Sequence, residues 1–298
     1  MLACAVLTAA WPFLFGAAES PPSEPPAEGA LDAAEILRRA EDVRNPDLDY
    51  ALEIAIRSRS PEGKSPERTG TFTMVAHGKT RTMILRKTPP VLSDSVFMNV
   101  EGRHWVLMPR ATRPLELTGG ALLHGENAAG NLARMDFSTG WKATLVGEER
   151  LLDEPCAKLE LTRTAGAGAY TRVLCWIART GFLPLRLEYY GTKPERLVHM
   201  ARYENYQEGS LGLRPMRMVI EGGNAWEDMS VVDFSNLRRV DASAIDFSGA
   251  GMLRFRDAAT EGREPGSLSD ITLEAVLGRL STPSPAAPSQ PPSAPQGK

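Results

Sequence analysis

Between residues 49 and 239 apolar and polar side chains alternate with a period of two, and Gly, Pro or Asn breaks recur about every ten residues. A period of two sends successive side chains to opposite faces of a strand, so the chain is committed to an antiparallel sheet with a dry face. Tyr50, Leu52, Ile54 and Ile56 share one face of the first segment and Glu53 and Arg57 the other. Phe72 and Met74 continue the alternation, the turn His77-Gly78-Lys79 reverses it, and Met83 lies on the return. Val96, Met98 and Val100 precede a Glu101-Gly102 turn into Trp105 and Leu107. Farther on, Leu185 and Leu187 alternate with Arg186 and Glu188, and Met216 and Met218 with Arg217 and Glu221.

Helical spacing is confined to the flanks. Residues 31–44 carry Ile36, Leu37, Ala40 and Val43 on one stripe and stop at Asn45-Pro46, where the residue before proline leaves the helical region. Leu273, Val276, Leu277 and Leu280 form a second stripe, with Asp270 as its expected cap. A glycine-broken helical stretch over residues 126–135 follows Gly119-Gly120. Helices of this kind must cover the dry face of the sheet, which predicts an α+β architecture: a large antiparallel sheet forming an incomplete, half-open β-barrel with amphipathic helices on its concave face.

The ends have another composition. Residues 2–18 are almost uninterruptedly apolar and end in Gly16, Ala17 and Ala18, which reads as a secretory signal peptide over residues 1–18 and places the protein in the periplasm. An uncleaved N-terminal membrane anchor is the alternative, for which the run is a little short and is interrupted by Pro12. Residues 19–30 are a Pro-rich spacer and residues 281–298 a Pro/Ser/Ala-rich disordered tail, neither able to bury enough apolar surface to order itself. A single domain over residues 31–280 remains.

Folding the hairpin of residues 156–177 symmetrically about Ala165-Gly166 sets Cys156 opposite Cys175. In an exported protein that pair is a candidate structural disulfide, with two buried free thiols as the alternative.

The four histidines, His77, His104, His124 and His199, have no ligand spacing, and neither a nucleophile elbow nor a phosphate loop is present. Asp228, Asp233, Asp241 and Asp246 are scattered rather than paired. These observations predict no catalytic residues, no metal, no cofactor and no enzyme. A formal net charge of −3 offers no general attraction for nucleic acid. Arg110 and Arg113 are candidates for holding a lipid phosphate or a partner's carboxylates.

Several segments together resemble the LolA/LolB-like superfamily, in its outer-membrane lipoprotein-sorting branch. They are the helix ending Arg44-Asn45-Pro46, the run from Gly102 through His104, Trp105 and Met108 to Arg110, and the elements Met135-Asp136-Phe137-Ser138 and Gly147-Glu148-Glu149. The hairpin ending at Ile177, the strand from Pro184 to Tyr190, and Asp246-Phe247-Ser248 extend the likeness over residues 31–253. His104 before the tryptophan and the C-terminal helix and tail depart from that pattern. The resemblance implies a cavity for acyl chains and a non-enzymatic carrier or chaperone in outer-membrane lipoprotein sorting. Its ligands would be lipoprotein acyl chains or other lipid, its partners an inner- or outer-membrane protein, and its state a monomer. A lipid-sensing or regulatory envelope module without transfer activity is the alternative. Leu52, Ile54, Ile56, Phe72, Met74, Met83, Met98, Trp105, Leu107, Leu185, Leu187, Met216 and Met218 are the candidate lining, and its methionines suit ligands of irregular shape.

Overall fold

The computed structural model describes residues 31–59, 66–118, 135–165, 170–191, 196–222, 229–262 and 272–281. The signal, the spacer, nearly all of the tail, the helical stretch of residues 126–134 and the hairpin turn at Gly166 lie outside them.

Among the described residues thirteen strands form one antiparallel sheet that does not close. They are β1 (Tyr50–Arg59), β2 (Arg68–His77), β3 (Arg81–Thr88), β4 (Val96–Val100), β5 (Arg103–Leu107), β6 (Leu115–Leu117), β7 (Trp141–Leu151), β8 (Glu154–Arg163), β9 (Arg172–Ala178), β10 (Pro184–Tyr190), β11 (Leu197–Gly209), β12 (Gly212–Gly222) and β13 (Met229–Arg239). Their order is β6-β5-β4-β3-β2-β1-β13-β12-β11-β10-β9-β8-β7. The chain meanders outward from β1 to one edge, resumes at the opposite edge with β7, and returns until β13 pairs antiparallel with β1 at the centre. The half-open antiparallel sheet with helices packed against it is the architecture the alternation predicts.

Helix α1 (Ala33–Arg44) begins where the Asp32 side chain accepts a hydrogen bond from Glu35 N at 2.7 Å, a cap that satisfies one orphan donor of the first turn. It lies against β7, β9, β10 and β12 and buries Ile36, Leu37 and Ala40. Two further helices, α2 (Gly249–Thr260) and α3 (Leu273–Ser281), pack on each other and on the β1–β5 half. The sequence pattern misses α2, because Gly249 and Gly251 at its start are poor helix formers. Its signal is the Ser248 cap, whose hydroxyl accepts from Gly251 N at 3.1 Å, followed by Met252, Phe255 and Ala259. Gly251 is required by space, since a Cβ there would sit 1.7 Å from the Asp246 carbonyl oxygen. The cap of α3 is Thr272, whose hydroxyl accepts from Ala275 N at 3.3 Å, two residues beyond the expected Asp270.

Register assigns every strand residue to one of two faces. Row by row, Leu52, Met74, Ile84, Phe97, Val106 and Leu115 stand opposite one another across β1 to β6. On this Leu52 face another row crosses β13 to β7 through Ser230, Ile220, Ala201, Leu187, Cys175, Leu159 and Leu145. The opposite, Met83 face carries Ala51, Val75, Met83, Met98 and Trp105 in one row and Leu85, Val96 and Leu107 in the next. Helices α2 and α3 close the Met83 face, with Met252, Phe255, Leu273 and Val276 in its core. Helix α1 lies on the Leu52 face, where Arg44 donates to Tyr203 OH at 3.5 Å. The dry surface is thus divided between both faces rather than gathered on one.

The cysteine pairing of the symmetric hairpin is corrected by this register. Cys156 stands opposite Ala178, and Leu159 opposite Cys175. Three residues along a strand are about 10 Å and also reverse the side-chain direction, so the two thiols are out of reach on opposite faces. Both are free and buried. Thr162 stands opposite Arg172, so β8 and β9 pair three residues away from the symmetric register.

Candidate functional site

Where β1 and β2 meet β11, β12 and β13 on the Leu52 face, beside the end of α1, the described residues leave a cavity of about 30 Å³. Its apolar wall includes Leu52, Ile54, Met74, Met216, Phe234 and Leu237, and its polar wall Arg44, Asn45, Tyr50, Tyr203 and Arg214. Period-two spacing puts Leu52 and Ile54 on one side of β1, the irregularity of the β1–β13 pairing between Ser235 and Arg238 lets Leu237 join Phe234, and the end of α1 delivers Arg44 and Asn45 beside them.

The polar wall is held by buried ionic bonds. Arg44 Nη2 donates to Glu41 Oε1 at 2.8 Å and Arg44 Nε to the same oxygen at 3.0 Å. Arg44 also donates to the Met135 carbonyl, which Asn45 Nδ2 reaches at 3.3 Å. Glu41 Oε2 accepts from Phe137 N at 3.2 Å, so one carboxylate ties α1 to the segment entering β7. Arg214 Nη2 donates to the Arg44 carbonyl, and its guanidinium lies 5.4 Å from the Tyr50 ring centre. Burial works against the charge on Arg44, but the Glu41 carboxylate paired with it holds its pKa well above the ordinary arginine value. Burial raises the pKa of Tyr189, Tyr203 and Tyr206 as well, which keeps these phenols neutral hydrogen-bonding groups.

The candidate lining divides. Leu52, Ile54, Met74 and Met216 border the cavity. Ile56, Phe72 and Met218 lie on the same face in adjoining rows, and Leu187 sits farther along it in the row of Ala201 and Cys175. Leu185 falls at the irregularity between Pro184 and Arg186 and is half-buried. Met83, Met98, Trp105 and Leu107 belong to the opposite face, in or against the core under α2 and α3, and do not line this cavity. The reason is that β3, β4 and β5 are apolar at both parities, so alternation there does not say which set faces which side. Phe234, Leu237, Tyr203, Arg44 and Arg214 are lining residues that the pattern did not single out; a polar residue flanked by strand hydrophobics was the available signal for Tyr203 and Arg214. Arg110 and Arg113 are exposed, away from the cavity lining.

Among the described residues no group of three or more His, Cys, Asp or Glu side chains is placed to hold a metal ion. No described helix is long and apolar enough to cross a membrane.

Residues 78–250, more than half of the chain, match a family model described as "Uncharacterized protein". No curated protein matches the sequence. A LolA superfamily protein from Nitrosomonas europaea is 27% identical, with a TM-score of 0.64 over 71% of this chain and 95% of that one. A DUF1329 family protein from Desulfovibrio piger is 19% identical, with a TM-score of 0.63 over 74% and 97%. An outer membrane lipoprotein-sorting protein domain from Vibrio parahaemolyticus is 15% identical, with a TM-score of 0.62 over 74% and 97%. The last two share the fold.

Proposed function

The chain belongs to the LolA/LolB-like superfamily and to the family whose model it matches over residues 78–250, and from that premise we propose that it is a periplasmic carrier that shields the acyl chains of a lipoprotein or a free lipid. The observation that carries the reading is the Leu52 face: an apolar row through Leu52, Met74, Ile84, Phe97 and Val106 runs into a cavity walled by Ile54, Met216 and Phe234. A cavity of about 30 Å³ has room for about one water, whereas a drug-sized ligand fills several hundred cubic ångströms. Loading therefore exchanges side-chain contacts for ligand contacts, each worth about 25 cal/mol per Å² of apolar area, so uptake and release differ little in free energy.

In this reading the protein is exported by residues 1–18, works as a monomer without cofactor or catalysis, and serves the sorting of lipoproteins to the outer membrane. In the same reading the spacer of residues 19–30 and the tail of residues 281–298 are the segments that engage an inner- or outer-membrane partner. Gentle purification from the native envelope is expected to bring down lipid or lipopeptide at close to one per chain by mass spectrometry. Ile54→Glu, which sets a charge in the apolar wall, is expected to abolish that cargo while the fold survives. A wild-type protein that carries no lipid and takes up no fluorescent acyl probe would sink the proposal. Following a labelled lipoprotein between two membrane preparations separates transfer from binding alone, and binding without transfer would favour a lipid-sensing module.

A further inference from the structure

On the Leu52 face, one row differs from its neighbours. Crossing β1 to β6 it reads Tyr50, Ala76, Thr82, Asn99, His104 and Leu117, directly beside the apolar row of Met74, Ile84, Phe97 and Val106. Thr82 is 1% exposed and its hydroxyl has no hydrogen-bond partner among the described residues. Asn99 spends its carboxamide oxygen on Gly102 N at 3.1 Å, at the turn between β4 and β5. His104 is half-buried, and burial lowers its pKa to about 4, so it stands neutral with one nitrogen able to donate and the other to accept. Apolar neighbours would have filled these positions at lower cost, because a buried hydroxyl without a partner is destabilising. The nearest arginines in sequence, Arg81 and Arg103, belong to the other face by register.

We propose that Thr82, Asn99 and His104 form a head-group subsite for the neutral carbonyl end of an acyl ligand, an ester or amide, whose hydrocarbon chain lies along the adjacent apolar row. This deepens the carrier reading and rests on it. Donors and acceptors are both present and no fixed charge faces the site from the row itself, which fits a carbonyl and its neighbouring oxygen or N–H better than a carboxylate or phosphate. The ester then supplies the bond that the Thr82 hydroxyl lacks.

The test uses the full chain and three probes of equal chain length, a monoacylglycerol, a free fatty acid and an alkane, each displacing a fluorescent hydrocarbon. Wild type is expected to bind the monoacylglycerol at least about tenfold more tightly than the alkane, the worth of one or two buried hydrogen bonds. Thr82→Val, nearly the same shape, should lose about tenfold for the monoacylglycerol, keep its alkane affinity within about twofold, and melt no lower than wild type. His104→Leu should show the same selective loss. Equal monoacylglycerol affinity in wild type and both variants, or a wild-type preference for the charged fatty acid, would overturn the subsite while leaving the carrier reading standing. Failure of wild type to bind any of the three would overturn both.

Discussion

The same strands present two apolar surfaces, and the chain treats them differently. The Met83 face is closed by α2 and α3, and its core is built from aliphatic and aromatic side chains such as Val96, Met98, Met252 and Phe255. The Leu52 face gathers the buried ionic and hydrogen-bonding groups: Glu41, Arg44, His199, Arg214 and the tyrosines Tyr50, Tyr170, Tyr189 and Tyr203. A surface meant only to be filled gains nothing from burying charge, since desolvation offsets most of what the ion pair returns. The difference teaches that apolarity does not mark a ligand surface in this fold; the polar groups threaded through it do.

The largest expected effects set the faces against each other. Glu41→Ala leaves the Arg44 guanidinium buried without its carboxylate and should cost about 3–5 kcal/mol. Phe255→Ala empties the centre of the other core and should also cost about 3–5 kcal/mol. Chemical denaturation is expected to find the two comparable, yet an acyl probe should separate them. Phe255→Ala keeps wild-type affinity, whereas Glu41→Ala loses it, because Glu41 and Arg44 position the Met135 and Phe137 segment beside the cavity. A folded Phe255→Ala protein that no longer binds the probe would reverse the assignment of the faces.

Much of this contrast was open to the sequence and part of it was not. The alternation in β1 is clean, with Glu53 and Arg57 against Leu52, Ile54 and Ile56, and it placed those residues together on one side. In β3 to β5 hydrophobics occupy both parities because both faces there are covered or apolar, so alternation alone does not separate Met83, Met98, Trp105 and Leu107 from the residues of the Leu52 face. A shift of one residue moves a whole strand's set from face to face, and only register resolves it. The buried polar wall was hidden for another reason. Glu41 and Arg44 on α1 lie three residues apart like any surface pair, and burial beneath the sheet, which no local pattern reports, is what gives them weight.

A smaller effect sharpens the comparison through pH. Burial depresses the His104 pKa from 6.5 to about 4, so between those values the unfolded chain binds a proton that the folded chain refuses. The stability contributed by neutral His104 is present above pH 6.5 and is lost as pH falls toward 4, up to about 2–3 kcal/mol. Urea midpoints at pH 7 and pH 4.5 should differ less in His104→Leu than in wild type, with the acid loss reduced by that amount. An unchanged acid slope in the variant would mean that water reaches His104 freely and that its row on the Leu52 face is wet.

The smallest expected effect is none at all. Because Cys175 shares the Leu52 face with Leu159 and Leu187 while Cys156 points to the other side, oxidation cannot join them without moving β8 by three residues against β9. Such a slip would also turn Leu159 and Leu161, both fully buried, out of their core. Alkylation after unfolding is expected to modify both cysteines with or without prior reduction, and reductant should leave the melting temperature unchanged. Burial raises both thiol pKa values, most for Cys175, so the folded protein should react slowly with the same reagent. A mass two hydrogens lighter under non-reducing conditions would instead require β8 and β9 to pair in the symmetric register, and with it a different Leu52 face.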